Sequence, residues 1–154
     1  MRTYTKIEDI SKDDLINLFS TATYGSSYLG AGYSYTPDLE DCETLEEAIA
    51  ESLLKGRKIR VTDFYAEGSS FGNLEKETDD EENVTYYVAL EDVKTGLERA
   101  INGTFNTSAG EFREDELRFA RESFASFANE SADFDLTCAD CLMQIILFNE
   151  IIYG

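Results

Sequence analysis

The segment Cys141–Phe148, CLMQIILF, constrains the fold more than any other part of the sequence. Seven of its eight residues are apolar, so a helix built from it has no polar face to turn towards water. A helix that is apolar on all sides is buried in a protein core. We therefore expect a central helix from Thr137 to about Ile151, with Thr137 and Asp140 forming a capping box at its start.

Two helices are predicted near the N-terminus from capping residues followed by apolar residues at helical spacing. Ser11 caps the first helix, which we expect to end at Gly25. Thr44 and Glu47 form the capping box of the second, which ends at Gly56. Its buried face is predicted to contain Leu45, Ala48, Ile49, Ser52 and Leu53.

Two more helices are predicted in the second half of the chain. The third begins at Leu90 with acidic residues in its first turn and ends at Gly103. A glycine inside a helix costs about 1 kcal/mol relative to alanine, so Gly96 predicts close packing against a neighbour. The fourth helix runs from Glu114 to about Ala128 and carries an aromatic stripe.

Alternating β-forming residues predict two strands, at 57–65 and at 84–90. The acidic run 75–82 lies between them, so the pair is predicted to form a long antiparallel hairpin with an acidic connection. Further strands are expected at 2–7 and 33–35. Together these elements predict a single α+β domain over residues 1–154, with about five helices packed on a small, mainly antiparallel sheet.

Acidic residues dominate the charge of the chain. It contains 32 Asp and Glu against 13 Lys and Arg, a formal net charge of −19. This charge argues against direct binding to nucleic acid or to an anionic membrane. No stretch approaches the ~18 apolar residues of a membrane span, and the N-terminus lacks the apolar core of a signal peptide. We therefore expect a cytoplasmic protein.

Candidate chemistry is limited because the sequence contains no His, the commonest metal ligand and general base. Cys138 and Cys141 form a C-x-x-C pair at a helix start, where disulfide oxidoreductases lower a thiol pKa. A thioredoxin-like site needs a βαβ context, and zinc needs two further ligands where only Cys42 and acids remain. We expect buried, reduced thiols, and we predict no catalytic residue, cofactor or metal.

The acids recur along the predicted helices at intervals that place neighbours about 5–6 Å apart on one face. Rows of carboxylates on a rigid frame resemble the regular charges of a DNA strand. Exposed tyrosines favour interfaces, so the tyrosine-rich segment 24–35 is a second candidate for partner contact. The predicted partner-binding residues are Glu75, Glu77, Asp79, Asp80, Glu81, Glu82, Tyr28, Tyr33 and Tyr35.

Four segments give the chain a resemblance to known proteins: TATYGSS (21–27), TDFYAEG (62–68), VALEDVKTGLERAINGTF (88–105) and LMQIILFNEIIYG (142–154). They resemble a family of small acidic proteins of Firmicutes that often lie near phage or other mobile-element genes. The resemblance covers nearly the full length. It implies a mobile-element setting, and it brings no activity or site residues with it.

These observations favour a non-enzymatic interaction protein whose acidic face docks on a basic, nucleic-acid-binding protein, as a DNA mimic or anti-defence factor. One alternative is an immunity protein or antitoxin that neutralises a basic toxin. Another is a small ligand-binding domain or enzyme that uses the tyrosine-rich loop with acids near Asp63. A surface charge that serves solubility alone is the competing explanation. The oligomeric state stays open.

Overall fold

In a computed structural model the chain is described at residues 10–25, 33–37, 42–63, 74–78, 80, 83–107, 110, 112–128 and 135–151. These residues form five helices packed on a four-stranded antiparallel sheet, which confirms the predicted α+β class. The helices are α1 (Lys12–Gly25), α2 (Leu45–Leu54), α3 (Leu90–Asn102), α4 (Phe112–Ala128) and α5 (Leu136–Phe148). The strands are β1 (Tyr33–Thr36), β2 (Ile59–Asp63), β3 (Lys76–Thr78) and β4 (Val84–Val88).

The sheet has the order β1-β2-β4-β3, and every pairing in it is antiparallel. The predicted pairing of the 57–65 and 84–90 segments is confirmed, with Val61 opposite Tyr86. Both strands alternate buried and half-buried residues, so one face of the sheet lies in the core. The predicted strand at 33–35 is β1, whereas 2–7 lies outside the described residues.

The prediction of a plain acidic connection between β2 and β4 is wrong at residues 76–78, which form the edge strand β3. The backbone N–H of Tyr87 donates to the carbonyl oxygen of Glu75 at 2.9 Å, just before this strand. Pairing with β4 therefore satisfies backbone groups of the acidic segment in spite of the repulsion between its carboxylates.

The predicted N-caps of α1 and α2, Ser11 and Thr44, are confirmed, and of the predicted Thr44–Glu47 capping box the structure records the bond to the Thr44 hydroxyl. The backbone N–H of Asp14 donates to Ser11 Oγ at 3.2 Å, and the N–H of Ser11 donates back to Asp14 Oδ2 at 3.0 Å. Thr44 Oγ1 accepts from the N–H of Glu47 at 3.2 Å. Gly56 follows α2 with φ +79°, a left-handed conformation that glycine adopts without strain.

The inward face of α2 differs from the prediction at its first turn. Leu45 is 37% exposed, whereas Glu46 is buried. The predicted residues Ala48, Ile49, Ser52 and Leu53 are buried, as are Glu46 and Ala50. Leu45 has helical spacing with Ala48 and Ile49, but it lies in the first turn and remains at the surface.

The start and the end of α5 also correct the prediction. Its N-cap is Asp135, whose carboxylate accepts the backbone N–H of Cys138 at 3.0 Å, and not Thr137. Asp140 is therefore an interior helix residue and is buried. Asn149 ends the helix in the left-handed conformation, at φ 58°, two residues before the expected end at Ile151.

The central position predicted for α5 is confirmed. Its residues from Ala139 to Phe148 are all buried, and the helix packs against α1, α3 and α4. Phe148 meets Tyr86 of β4 edge to face, with ring centroids 5.5 Å apart, so the helix also contacts the sheet. The core is thus arranged around α5.

Gly96 explains how closely α3 approaches α5, as its position in the sequence predicted. A Cβ atom at residue 96 would lie 2.7 Å from the Cα of Ile146. Real Cβ atoms do not approach backbone atoms this closely. A larger residue therefore requires the two helices to separate.

We expect Gly96→Ala to lower the free energy of unfolding by about 1–2 kcal/mol, since overpacking outweighs the ~1 kcal/mol gain in helix propensity. Urea denaturation measures the change. Glu98→Ala, at an exposed position of the same helix, serves as the control and is expected to stay within about 0.5 kcal/mol. Stabilisation by Gly96→Ala would contradict the close packing.

Candidate functional site

The structure separates the two groups of residues predicted to bind a partner. Of the acidic group, Glu75, Glu77 and Asp80 are described, and all three are exposed. Tyr35 lies on β1, at the opposite edge of the sheet from β3. Its side chain is buried and meets Phe19 edge to face, so it is a core residue. Tyr33 is described only in its backbone, and Tyr28, Asp79, Glu81 and Glu82 lie outside the described residues.

The acidic edge, defined as Glu75, Glu77 and Asp80, is held in place by contacts with β4. The hydroxyl of Tyr87 donates to Glu77 Oε1 at 2.6 Å. This hydrogen bond to a carboxylate raises the pKa of Tyr87, because loss of the proton would place two anions together. Glu77 is thus an exposed carboxylate with a fixed orientation.

Lys58 is one of the cations near the acidic edge, together with Lys76 of β3, whose Nζ lies 5.7 Å from the centroid of the Tyr86 ring. Lys58 Nζ lies 3.9 Å from Glu75 Oε1, and both side chains are at least half exposed. Such a pair contributes little to stability in water. The acidic edge therefore remains available to a competing cation from outside.

The outer face of the sheet continues the acidic edge with polar residues. Glu77 stands opposite Thr85 in the register, and Thr85 Oγ1 lies 2.8 Å from Thr62 Oγ1 of β2. Arg60 and Tyr87 occupy alternating positions on the same strands and are likewise half-buried. The described side chains on this outer face are thus polar, and they lie beside the acidic edge.

Helix α4 lacks the row of carboxylates that the sequence suggested. Arg113, Arg118 and Arg121 are exposed among its acids, and Arg118 pairs with Asp115 at 2.8 Å. The described residues as a whole hold 20 Asp and Glu against 11 Lys and Arg. The acidic excess is therefore uneven, and α4 presents a surface of mixed sign.

A small surface pocket of about 100 Å³ lies next to Leu74, the residue that precedes Glu75 of the acidic edge. Its apolar lining comes from Leu74 and from the last turn of α5, and its polar lining from one face of α3 and from the end of α5. The lining residues are Leu74, Asp92, Thr95, Arg99, Ile146, Leu147 and Asn149. Gly96, at which α3 approaches α5 closely, follows the lining residue Thr95 on α3.

Asp140 is the most perturbed carboxyl group in the described part of the chain. Burial raises its pKa to about 6, and a 2.6 Å hydrogen bond from Gln144 Nε2 offsets only part of this effect. Its Oδ1 atom is buried without a hydrogen-bond partner among the described residues. Burial raises the pKa of Tyr35, and the charge of Asp140 raises it further.

The cysteines show no sign of activation. Cys138 and Cys141 are not disulfide-bonded, and Cys141 is buried. Burial raises the pKa of Cys138, and it raises that of Cys141 to about 12. A reactive thiol needs a lowered pKa, so the helix N-terminus does not outweigh desolvation here.

The described residues contain no group of three or more His, Cys, Asp or Glu placed to hold a metal ion. No helix among them is long and apolar enough to cross a membrane.

Comparison with protein-family models, with curated proteins and with solved structures finds no match to this chain. Function is therefore argued from its own residues. Sequence reasoning missed β3 and the pocket, since both depend on contacts between distant segments. The spacing of Asp92, Thr95 and Arg99, which places them on one helix face, was the available signal for the pocket.

The raised pKa of Asp140 predicts a specific dependence of stability on pH. A carboxyl group with a raised pKa in the folded state contributes full stability below its ordinary pKa, near 3.8, and loses it as the pH rises through about 6. We expect Asp140→Asn to gain about 2 kcal/mol relative to wild type between pH 4 and pH 8, since Asn still accepts from Gln144 and never ionises.

Urea denaturation across this pH range checks the gain. Asp80→Asn removes the same charge at an exposed position and is expected to give a nearly constant difference from wild type. Parallel pH profiles for wild type and Asp140→Asn would show that Asp140 ionises as easily in the folded state as in the unfolded state.

Proposed function

We propose that this chain is a non-enzymatic interaction protein that docks its acidic edge on a basic partner, a protein that otherwise binds nucleic acid. The observation that carries the proposal is the exposed carboxylate of Glu77, oriented at 2.6 Å by the hydroxyl of Tyr87. An oriented carboxylate has already given up part of its conformational freedom, which lowers the entropic cost of binding a cation.

The geometry of β3 adds to this argument. Among the described strands it lies at the edge of the sheet, with a neighbour on one side only. Side chains two residues apart in a strand point to the same face, and their residues lie about 6.7 Å apart. This distance is about twice the ~3.4 Å axial rise between successive phosphates of a DNA strand. Glu75 and Glu77 have this spacing in the sequence. A partner that follows phosphates along DNA meets charges at a similar interval.

The overall charge supports the same kind of partner. A net charge of −19 accelerates encounter with a basic protein and repels nucleic acid. The surface of α4 carries both positive and negative charges, so it contributes little to the direction of the electrostatic field around the chain. We therefore assign specific contact to the acidic edge and long-range attraction to the chain as a whole.

A pair of triple variants tests the proposal. Glu75→Gln with Glu77→Gln and Asp80→Asn neutralises the acidic edge. Glu114→Gln with Asp115→Asn and Glu122→Gln removes the same charge from α4. The wild-type chain is immobilised, basic proteins are captured from host lysate at low salt, and the affinity of the purified partner is measured for both variants.

We expect the edge variant to lose at least about tenfold in affinity and the α4 variant to lose about twofold or less. Duplex DNA is expected to compete with the chain for its partner, and binding is expected to weaken as salt rises. Equal losses in the two variants would mean that net charge alone attracts the partner. A basic toxin as the captured protein, inactivated on binding, would establish the immunity function instead.

A further inference from the structure

Two opposite charges line the same small pocket without contacting each other. Asp92 and Arg99 lie seven residues apart on α3, with Thr95 between them, and all three line the pocket. One carboxylate oxygen of Asp92 accepts the backbone N–H of Ala89 at 2.8 Å. Within the described part of the chain, neither Asp92 Oδ1 nor the guanidinium of Arg99 has a hydrogen-bond or ion-pair partner.

No carboxylate among the described residues forms an ion pair with Arg99, in contrast to Arg118 of α4, which pairs with Asp115. Helical side chains lean towards the N-terminus of their helix, so Arg99 extends over Thr95 towards Asp92. The distance between the two charged groups is thereby shorter than the ~10 Å that separates their backbone positions. An occupant with a cation at one end and an anion at the other would satisfy both.

The end of α5 adds to this polarity. The pocket lies at the C-terminal turn of α5, where carbonyl groups create a partial negative charge. Asn149 Oδ1 is buried there without a hydrogen-bond partner in the described chain. Asn149 lies towards the end of α3 that carries Arg99, since its carbonyl oxygen accepts the N–H of Asn106 at 2.8 Å. Its side-chain acceptor favours a hydrogen-bond donor on the occupant, whereas Arg99 favours a carboxylate and Asp92 a cation.

The volume limits the size of the occupant. A pocket of about 100 Å³ is smaller than the ~150 Å³ apolar cavity that holds benzene in another protein, and far below the ~300 Å³ of the smallest typical ligand sites. About five or six non-hydrogen atoms fit, with a short aliphatic part against Leu74, Ile146 and Leu147.

We propose that this pocket binds a small free α-amino acid, of the size of glycine or alanine, with its carboxylate on Arg99 and its ammonium on Asp92. The site lies beside the acidic edge and shares no charged residue with it. Amino-acid binding therefore stands or falls independently of partner binding.

Titration of the ¹⁵N-labelled full chain with L-alanine and glycine tests the proposal. We expect saturable shifts of the backbone amides of Thr95, Arg99 and Asn149, with a dissociation constant below about 10 mM. Acetate and methylamine each carry half of the zwitterion, and we expect each to bind at least about tenfold more weakly than the amino acid.

Arg99→Gln is expected to weaken amino-acid binding by at least about tenfold, since it removes the charge that faces the carboxylate. Arg121→Gln removes an exposed arginine of α4 and serves as the matched control, with binding unchanged. The proposal is overturned by non-saturable shifts with every amino acid, by acetate binding as tightly as alanine, or by full binding to a folded Arg99→Gln variant.

Discussion

Burial of α5 on every side is the constraint on which the rest of the structure depends. A helix whose residues from Ala139 to Phe148 are all buried needs partners around its whole circumference. The sheet provides one side through the contact of Tyr86 with Phe148, and α1, α3 and α4 provide the others. The close approach of α3 at Gly96 follows from the same demand, and residues of both helices line the pocket beside the end of α5. Folding of the core and formation of the candidate site are thus linked through one helix pair.

Local signals in the sequence predicted those elements whose cause is local. The caps at Ser11 and Thr44 and the glycine end of α2 are interactions within four residues, so they can be read directly from the chain. Asp135 shows the limit of this reasoning. Both Asp135 and Thr137 are residue types that cap helices, and the helix begins after the earlier of the two. Strand β3 could not be predicted from its own residues, since it forms by pairing with the free edge of β4. The pocket combines residues from α3, α5 and the segment before β3, and only the tertiary structure brings them together.

The distribution of charge changes the functional interpretation of the acidic composition. The sequence suggested rows of carboxylates on several helices, but the exposed arginines of α4 break one such row. The oriented carboxylate of Glu77 and the polar side chains beside it make the β3 edge the better-defined acidic surface. The buried titratable groups have another origin. The raised pKa values of Asp140 and Cys141 follow from burial in the core around α5. Perturbed groups of this kind reflect packing, and they are distinct from the surface that we assign to partner binding.

Hydrogen exchange of the backbone amides, measured with and without the bound partner, tests this assignment most directly. Exchange reports local protection residue by residue, so it locates the contact surface without altering any charge. We predict that the partner slows exchange at β3 and in the neighbouring part of β4 around Thr85 and Tyr87, while exchange in α4 stays unchanged. Protection centred on α4, or spread evenly over the helices, would contradict an interface at the acidic edge.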